Sequence, residues 1–330
     1  MADSEPLVAV RDLVKRYGRT LAVDHVSLDI ERGERYAILG PNGAGKTTLI
    51  HTLCTIHRAD EGTVTVDGYE VHANPRMARR RIGVVFQEPS LDTRLTVEEN
   101  LEFHGRVYGV PRRLRRERID QLLELVDLGD WRGHLVRALS KGMQRRLEIA
   151  RALVHDATLL VLDEPTVGLD AQSRERMWTY LETLQAERDL TVLVTTHYIE
   201  EVDSCDRVCI VDHGTVLTIG TPGELKARHG QRQVRLRTDD ASTAERIASA
   251  YEDARAQPDD ATELIVPIAE EAEVERLLGA YGANLRAFAL EQPSLESVFL
   301  DLTGRDLRDA VAGAKDRMLG APRSGGEPVR

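Results

Sequence analysis

Apolar and polar side chains alternate along residues 7–17 and 26–39, a period of two that predicts β-strands. Residues 36–39 predict a short buried strand that enters a glycine-rich turn. Further strands are predicted at 63–67, 81–86, 158–163 and 190–195. Apolar residues at three- and four-residue spacing predict two helices within 96–128, separated at 109–111, and further helices at about 140–155 and 171–187. This alternation of strands and helices predicts a parallel sheet covered by helices, an α/β fold.

The pattern changes after Gly230, so we predict a first domain at 1–230 and a second, smaller α+β domain at 231–305. Residues 207–212 and 215–219 predict a hairpin, followed by a short helix from Thr221. In the second domain, strands are predicted at 233–237, 263–267 and 284–290, and helices at about 241–254, 269–281 and 294–303. Residues 306–330 predict a tail with little fixed structure.

Composition and charge restrict the location and the partners expected for the chain. The longest stretches without a formal charge, 47–57 and 213–223, have 11 residues each, so no membrane-spanning helix is expected. The N-terminus lacks the pattern of a signal peptide, and three cysteines in 330 residues predict buried free thiols in the cytoplasm. Residues 231–330 carry 13 Lys and Arg against 19 Asp and Glu, which argues against a nucleic-acid partner. The basic run at 112–118 is open to two interpretations, a solvated helical face or a contact with lipid headgroups or a membrane partner.

The strongest local motif is a phosphate-binding loop with a predicted strand before it and a helix after it. Glycines allow backbone N–H groups to turn inward around phosphate oxygens, and the helix directs its positive end at the same charge. Lys46 is expected to reach the β- and γ-phosphates, and Thr47 to bind Mg²⁺. The loop consists of Gly40, Pro41, Asn42, Gly43, Ala44, Gly45, Lys46, Thr47 and Thr48.

Two adjacent carboxylates follow the apolar strand at 158–163. Asp163 is suited to the Mg²⁺ coordination sphere, and Glu164 to activation of the water that attacks the γ-phosphate. The alternative is an acidic pair that caps the end of a strand. The upstream phosphate loop favours the catalytic interpretation.

Together these motifs resemble the nucleotide-binding subunit of an ATP-binding-cassette (ABC) transporter over residues 7–228. The resemblance implies a P-loop NTPase (RecA-like) cassette with an antiparallel β subdomain and a helical signature subdomain at about 88–155. It implies that Tyr17 stacks on adenine and that Gln87 senses the γ-phosphate and Mg²⁺ and leads to the membrane partner. It further implies that His197 contacts the γ-phosphate. In isolation, Tyr17 would be interpreted as an edge-strand aromatic residue and His197 as a helix cap.

The segment 139–143 resembles the family signature, with Lys141 and Met143 in place of the usual glycine and glutamine. Ser140 and Gly142 remain, so a hydroxyl and a helix N-terminus are available to the ATP of an opposite subunit. Lys141 either assists phosphate binding or faces solvent. Asp170 matches the loop at the family's dimer interface, so the resemblance implies a homodimer, or a paired ATPase subunit, with ATP between the two cassettes.

Residues 291–304 resemble the carboxy-terminal element of drug-exporter ATPases of the daunorubicin-resistance type. That resemblance implies an ATPase at the cytoplasmic face of the membrane, which drives export of a drug-like or lipid-like substrate through a separate polytopic permease. Gln87 and the helices around 96–118 are the expected docking face. Related subunits serve polysaccharides, lipids or sodium, and the apolar residues of this segment also predict one face of an amphipathic helix.

The competing class is the soluble ABC ATPase of DNA repair or translation. Such proteins resemble this chain in the cassette, but those of translation usually carry two cassettes and basic surfaces, and those of repair insert long coiled coils. A single phosphate loop, the lack of a long heptad run and the acidic balance favour the transporter interpretation.

Overall fold

The computed structural model describes residues 5–230, 232–251, 254–257, 260–268 and 270–303. These residues form two compact units, the first ending at Ile219 and the second beginning at Gly220. Each unit has its own hydrophobic core. The predicted tail at 306–330 lies outside the described residues.

The first unit contains ten strands and six α-helices within its described residues. The strands are β1 (Val8–Tyr17), β2 (Thr20–Ile30), β3 (Arg35–Leu39), β4 (Glu61–Val66), β5 (Tyr69–Glu70), β6 (Ile82–Val85), β7 (Leu159–Asp163), β8 (Thr191–Thr196), β9 (Arg207–Asp212) and β10 (Thr215–Gly220). The helices are α1 (Lys46–Leu53), α2 (Pro75–Arg81), α3 (Val97–Val107), α4 (Arg112–Leu125), α5 (Lys141–Leu153) and α6 (Ala171–Glu187).

A six-stranded sheet, in the order β10-β9-β3-β8-β7-β6, positions the candidate site. Its pairs from β9 to β6 are parallel, and β3, β7 and β8 are buried along their whole length. Because parallel strands end at the same sheet edge, residues that follow β3, β6, β7 and β8 come together there. The predicted parallel α/β sheet is confirmed.

An antiparallel sheet in the order β2-β1-β4-β5 forms the second layer of strands. The prediction of strand across 26–39 is wrong in its middle, because the chain turns between Ile30 and Arg35 and enters the other sheet. Gly33, with a φ of 74°, accommodates this turn. Helix α2 was not predicted, since its run of arginines gives it no apolar periodicity.

The helices of the segment 96–155 begin and end close to their predicted positions. The helices predicted within 96–128 are α3 and α4, and α3 begins with a capping box between Thr96 and Glu99. Helix α5 has Ser140 as its N-cap, and the Ser140 hydroxyl accepts a hydrogen bond from the Met143 N–H at 3.2 Å. No helix in the described part of the chain is long and apolar enough to cross a membrane. The three cysteines are free and buried, as predicted.

The second unit is an α+β fold, as predicted, built on an antiparallel sheet in the order β12-β13-β11-β14. The predicted helix at 241–254 ends earlier, at Ala250, because 255–257 form an additional strand paired with β13. The unit begins before the predicted boundary at 230, and its first helix packs on its last. Its elements are α7 (Pro222–His229), β11 (Arg232–Thr238), α8 (Ala241–Ala250), β12 (Arg255–Gln257), β13 (Asp260–Ile268), α9 (Glu271–Tyr281), β14 (Leu285–Glu291) and α10 (Leu295–Thr303).

Two histidines, His104 on α3 and His155 after α5, are partly buried. The rings of His104 and His155 are 5.5 Å apart, and Tyr108 stacks on His155 at 3.9 Å. Burial lowers the pKa of His104 to about 3 and that of His155 to about 4. Both imidazoles are therefore neutral in the folded protein at physiological pH.

Acid is expected to destabilise the protein through these two residues. A histidine of the unfolded chain binds a proton near pH 6.5, whereas the folded protein resists this, so stability falls as the pH drops below 6.5. We expect each histidine to contribute a loss of about 2 kcal/mol in the free energy of unfolding between pH 7 and pH 5. Urea unfolding at both pH values measures this loss. The variant His104→Phe should lose less than the wild type, and an equal loss in both would contradict the prediction.

Candidate functional site

The phosphate-binding loop leaves the end of β3 in a conformation that requires glycine. Gly43 and Gly45 have φ values of 85° and 100°. A Cβ on Gly40 would lie 2.3 Å from the Val211 carbonyl oxygen, and one on Gly45 would lie 2.4 Å from the Ala22 carbonyl oxygen. The glycines thus let the loop close tightly against its neighbouring strands.

Lys46 is the first residue of α1, and its ammonium points back into the loop. It is 5% exposed and donates hydrogen bonds to the carbonyl oxygens of Gly40 at 2.8 Å and Pro41 at 3.1 Å. Its Nζ lies 3.3 Å from Glu164 Oε1. Burial lowers the pKa of Lys46, and the Glu164 carboxylate opposes that shift. The loop therefore holds a cation where phosphate oxygens would bind.

Asp163 ends β7 and faces the start of α1. Its Oδ1 accepts a hydrogen bond from the Thr195 hydroxyl at 2.6 Å and lies 3.4 Å from Thr47 Oγ1. A carboxylate and a hydroxyl at this separation are hard oxygen ligands of the type that Mg²⁺ prefers. These two residues fit a magnesium site that would be completed by phosphate and water oxygens.

The Glu164 carboxylate lies between the side chains of Lys46 and His197. Its Oε1 lies 3.4 Å from His197 Nδ1 and 3.3 Å from Lys46 Nζ, and the residue is 8% exposed. Burial alone would raise the pKa of Glu164, but His197 and Lys46 outweigh it and the pKa lies below its ordinary value. Its φ of 46° is strained for a residue with a side chain. The result is an ionised carboxylate fixed beside the phosphate loop.

The residues of the signature segment and Asp170 form a second group at the starts of α5 and α6. Ser140 is exposed, and a Cβ on Gly142 would lie 2.9 Å from Ser173 Oγ. Ser173 in turn donates to Asp170 through its N–H and its hydroxyl, both at 2.8 Å. Two helix N-termini thus lie side by side: the Asp170 carboxylate occupies that of α6, and the N-terminus of α5 favours an anion.

Tyr17 lies next to the phosphate loop, at the end of β1. It pairs with Thr20 of β2, and Ala22, two residues further along β2, contacts Gly45. The Tyr17 side chain is 44% exposed, and its ring meets the edge of His57 at 5.7 Å between centroids. An exposed aromatic face thus lies about 7 Å along the strand from the loop contact.

Gln87 and Lys141 are both exposed in the single chain. Gln87 follows β6, whose neighbour β7 carries Asp163, so it lies at the same edge of the sheet. Lys141 faces solvent at the start of α5. The described residues thus bring the phosphate loop, Asp163, Glu164 and His197 into one cluster. Gln87 and the first residues of the signature helix, Ser140 and Lys141, are exposed to solvent.

Three buried ionisable residues near the cluster, Glu201, Arg145 and Glu148, were not predicted from the sequence. Glu201 accepts hydrogen bonds from the hydroxyls of Thr166 and Thr196, the latter at 2.6 Å, and so joins the segments that follow β7 and β8. Burial raises the pKa of Glu201, against the effect of those hydroxyls. Arg145 and Glu148 form an ion pair of 2.9 Å on α5. Their spacing of three residues on a helix is a signal for pairing, but it does not predict burial.

Two protein families match this chain. A family described as ABC transporter matches residues 23–167, and one described as ATP-binding protein DrrA1-3-like, C-terminal domain, matches residues 220–303. The second match begins at the residue where the second compact unit begins.

Individual relatives cover nearly the whole chain. The daunorubicin/doxorubicin resistance ATP-binding protein DrrA of Streptomyces peucetius is 43% identical over 90% of this chain and 92% of its own length. The Nod factor export ATP-binding protein I of Ralstonia nicotianae is 39% identical over 93% of this chain and 96% of its own length.

Solved structures match the cassette. CbiO1 of Clostridium perfringens, part of the CbiONQ transporter complex, aligns with a TM-score of 0.64 at 31% identity, over 68% of this chain and 92% of its own. The dimeric structure of MJ0796, a bacterial ABC transporter cassette, aligns with a TM-score of 0.59 at 29% identity, over 65% of this chain and 98% of its own. The phosphate loop, the carboxylates at the end of β7 and these similarities lead to one conclusion: the chain belongs to the ABC transporter family, as an ATPase subunit with a DrrA-like C-terminal domain.

Proposed function

We propose that this subunit hydrolyses ATP between two copies of its cassette and uses the cycle to drive export through a separate membrane permease. The observation that carries the proposal is the Glu164 carboxylate, buried and ionised, within 3.3 Å of Lys46 and 3.4 Å of His197. Replacement of Glu164 by glutamine is the experiment that tests it, because the proposal requires hydrolysis to be lost while ATP binding is kept.

In this proposal Lys46 binds the β- and γ-phosphates, and the loop N–H groups bind the remaining phosphate oxygens. Glu164 accepts the proton of the attacking water, and His197 holds the γ-phosphate while it stabilises the charge of Glu164. Tyr17 stacks on adenine, since its exposed ring lies beside the loop.

Thr47 and Asp163 are the proposed ligands of Mg²⁺, and Gln87, which follows β6 at the same edge of the sheet, is proposed as a third. The bound ion would neutralise charge on the β- and γ-phosphates. The 3.4 Å separation of the Thr47 and Asp163 oxygens supports this assignment.

A second copy completes the site. Ser140, Gly142 and Asp170 lie at two adjacent helix N-termini, and the exposure of Ser140 leaves it open to the γ-phosphate held by the opposite chain. ATP then bridges the two chains, and its hydrolysis removes the contacts that hold them together. The dimeric structure of MJ0796 supports this arrangement.

The proposed membrane partner docks on the helical segment beside Gln87, at the cytoplasmic face of the membrane. Helix α3 exposes Phe103 by 64% and Val107 by 66%, four residues apart on the same face. Large apolar residues this exposed favour a protein contact. The relatives named for daunorubicin/doxorubicin resistance and for Nod factor export support a drug-like or lipid-like substrate.

The double variant Phe103→Glu/Val107→Glu is expected to lose its membrane partner, because two carboxylates would have to be buried in an apolar contact. Co-purification of polytopic membrane proteins with each variant from detergent-solubilised membranes measures the loss. We expect recovery to fall at least about tenfold.

The control is Leu278→Glu on α9, where a similarly exposed leucine lies in the second unit. It should leave recovery unchanged, and all variants should still bind ATP. Recovery of the partner by the α3 variant at the wild-type level would contradict this docking face.

A further inference from the structure

A buried ion pair on α5 connects the candidate base to the loop that contains Gln87. Arg145 Nη1 donates to Glu148 Oε2 at 2.9 Å, and the two residues are 8% and 3% exposed. The pair lies one helical turn beyond Ser140, on the face of α5 that meets the end of the parallel sheet. Removing two charges from water costs free energy, so a role for this buried ion pair has to be identified.

The Arg145 guanidinium also donates hydrogen bonds to backbone carbonyl groups of two separate segments, those that follow β6 and β7. Nε donates to the Pro165 oxygen at 2.8 Å, and Nη1 to the Phe86 oxygen at 2.7 Å. Nη2 lies 3.5 Å from the Asp163 oxygen and 3.4 Å from the Glu164 oxygen. One planar guanidinium thus binds the peptide groups on both sides of Glu164 and the peptide group between Phe86 and Gln87.

Glu148 and Arg151 hold the other end of the same loop. Glu148 Oε1 accepts a hydrogen bond from the Ser90 N–H at 2.8 Å, and Arg151 Nη1 donates to the Ser90 carbonyl oxygen at 2.6 Å. The loop 87–90 is therefore bound to α5 at Phe86 and at Ser90, while Gln87 between them stays exposed.

Stability alone does not require this arrangement. Replacing a buried ion pair with apolar residues of similar volume is often neutral or stabilising. What apolar residues cannot supply is a set of directed hydrogen bonds to carbonyl groups on two separate segments. A movement of the loop 87–90 changes the contacts of Arg145 and Glu148, and Arg145 in turn binds the backbone of Glu164.

We propose that Arg145 and Glu148 are positioning residues, which hold Glu164 and the loop of Gln87 in register with the signature helix. Through them, a displacement at the membrane-facing loop alters the placement of the base. The proposal rests on the role of Glu164 proposed above.

Three purified variants test it. Arg145→Lys keeps the charge but cannot reproduce the planar fork. The double variant Arg145→Met/Glu148→Leu removes both charges and keeps the volume. The matched control, Arg207→Met/Glu34→Leu, removes an ion pair of 2.8 Å at the opposite end of the parallel strands.

We expect Arg145→Lys and the α5 double variant each to lower kcat for ATP hydrolysis at least about tenfold, with KM for ATP changed by less than about twofold. The thermal midpoint of the α5 double variant should stay near the wild-type value, and the control should keep wild-type kcat. A wild-type kcat in the α5 double variant would overturn the proposal, because the pair would then serve stability only.

If the α5 double variant does not fold, Arg145→Lys decides the question. A lowered kcat at unchanged KM and thermal midpoint supports positioning, and an unchanged kcat refutes it. Glu164→Gln, assayed in parallel, separates the two proposals: full turnover by that variant would refute the role of Glu164 itself, whatever the result at Arg145.

Discussion

Replacing Glu164 with glutamine is expected to lower kcat for ATP hydrolysis at least about a hundredfold, the usual contribution of a general base. Glutamine has nearly the same shape, but its amide cannot accept the proton of the attacking water. ATP affinity should stay within about threefold of the wild type, because the phosphate loop and Lys46 are unchanged. Phosphate release and the binding of a fluorescent ATP analogue measure the two quantities separately.

The matched control is Glu200→Gln, an exposed carboxylate three residues after His197. This substitution removes one negative charge near the site but changes no contact of Lys46, Glu164 or His197. The kcat of Glu200→Gln should therefore equal that of the wild type. Near-normal phosphate release by Glu164→Gln would exclude Glu164 as the base. A loss of ATP binding would mean instead that the Glu164 charge supports the nucleotide site through Lys46, 3.3 Å away.

The parts of the site that could be predicted are those where a few consecutive residues determine the local structure. The phosphate loop follows from the glycines and the apolar run before them, and Asp163 follows from a strand that is apolar along its length. Ser140 followed from its position before an amphipathic segment, where a hydroxyl caps a helix. In each case the chemistry and the local fold depend on the same short stretch of sequence.

The parts that could not be predicted depend on residues distant in sequence. Arg145 resembles any other arginine of an amphipathic helix until the ends of β6 and β7 supply the carbonyl groups that it binds. Glu201 follows a predicted strand as an ordinary acidic residue, and only the hydroxyls of Thr166 and Thr196 account for its burial. The roles of all the site residues stay predictions, since each concerns a contact with a nucleotide, a metal ion, a permease or a second chain.

The variant Ser140→Arg, made in the Glu164→Gln background so that ATP persists, is expected to bind ATP as a monomer but not to dimerise. Arginine places a long cationic side chain where the γ-phosphate of the opposite chain would have to approach the start of α5. It also removes the hydrogen bond from the Met143 N–H to the Ser140 hydroxyl, a helix cap worth about 1 kcal/mol. We expect the ATP-dependent association constant to fall at least about a hundredfold, because the bulk of the arginine side chain would clash with the opposite chain and keep its γ-phosphate away from the start of α5.

Thr96→Arg separates the lost cap from the blocked contact, because Thr96 caps α3 in the same way and lies outside the proposed dimer interface. Light scattering after size-exclusion chromatography in Mg²⁺ and ATP should detect dimers of the Thr96→Arg protein and only monomers of the Ser140→Arg protein. Equal dimerisation of both would mean that the start of α5 does not meet the opposite ATP. Monomers of both would attribute the effect to weakened helices, whereas the expected difference between them supports a Ser140 surface that is covered when two ATP-bound chains associate.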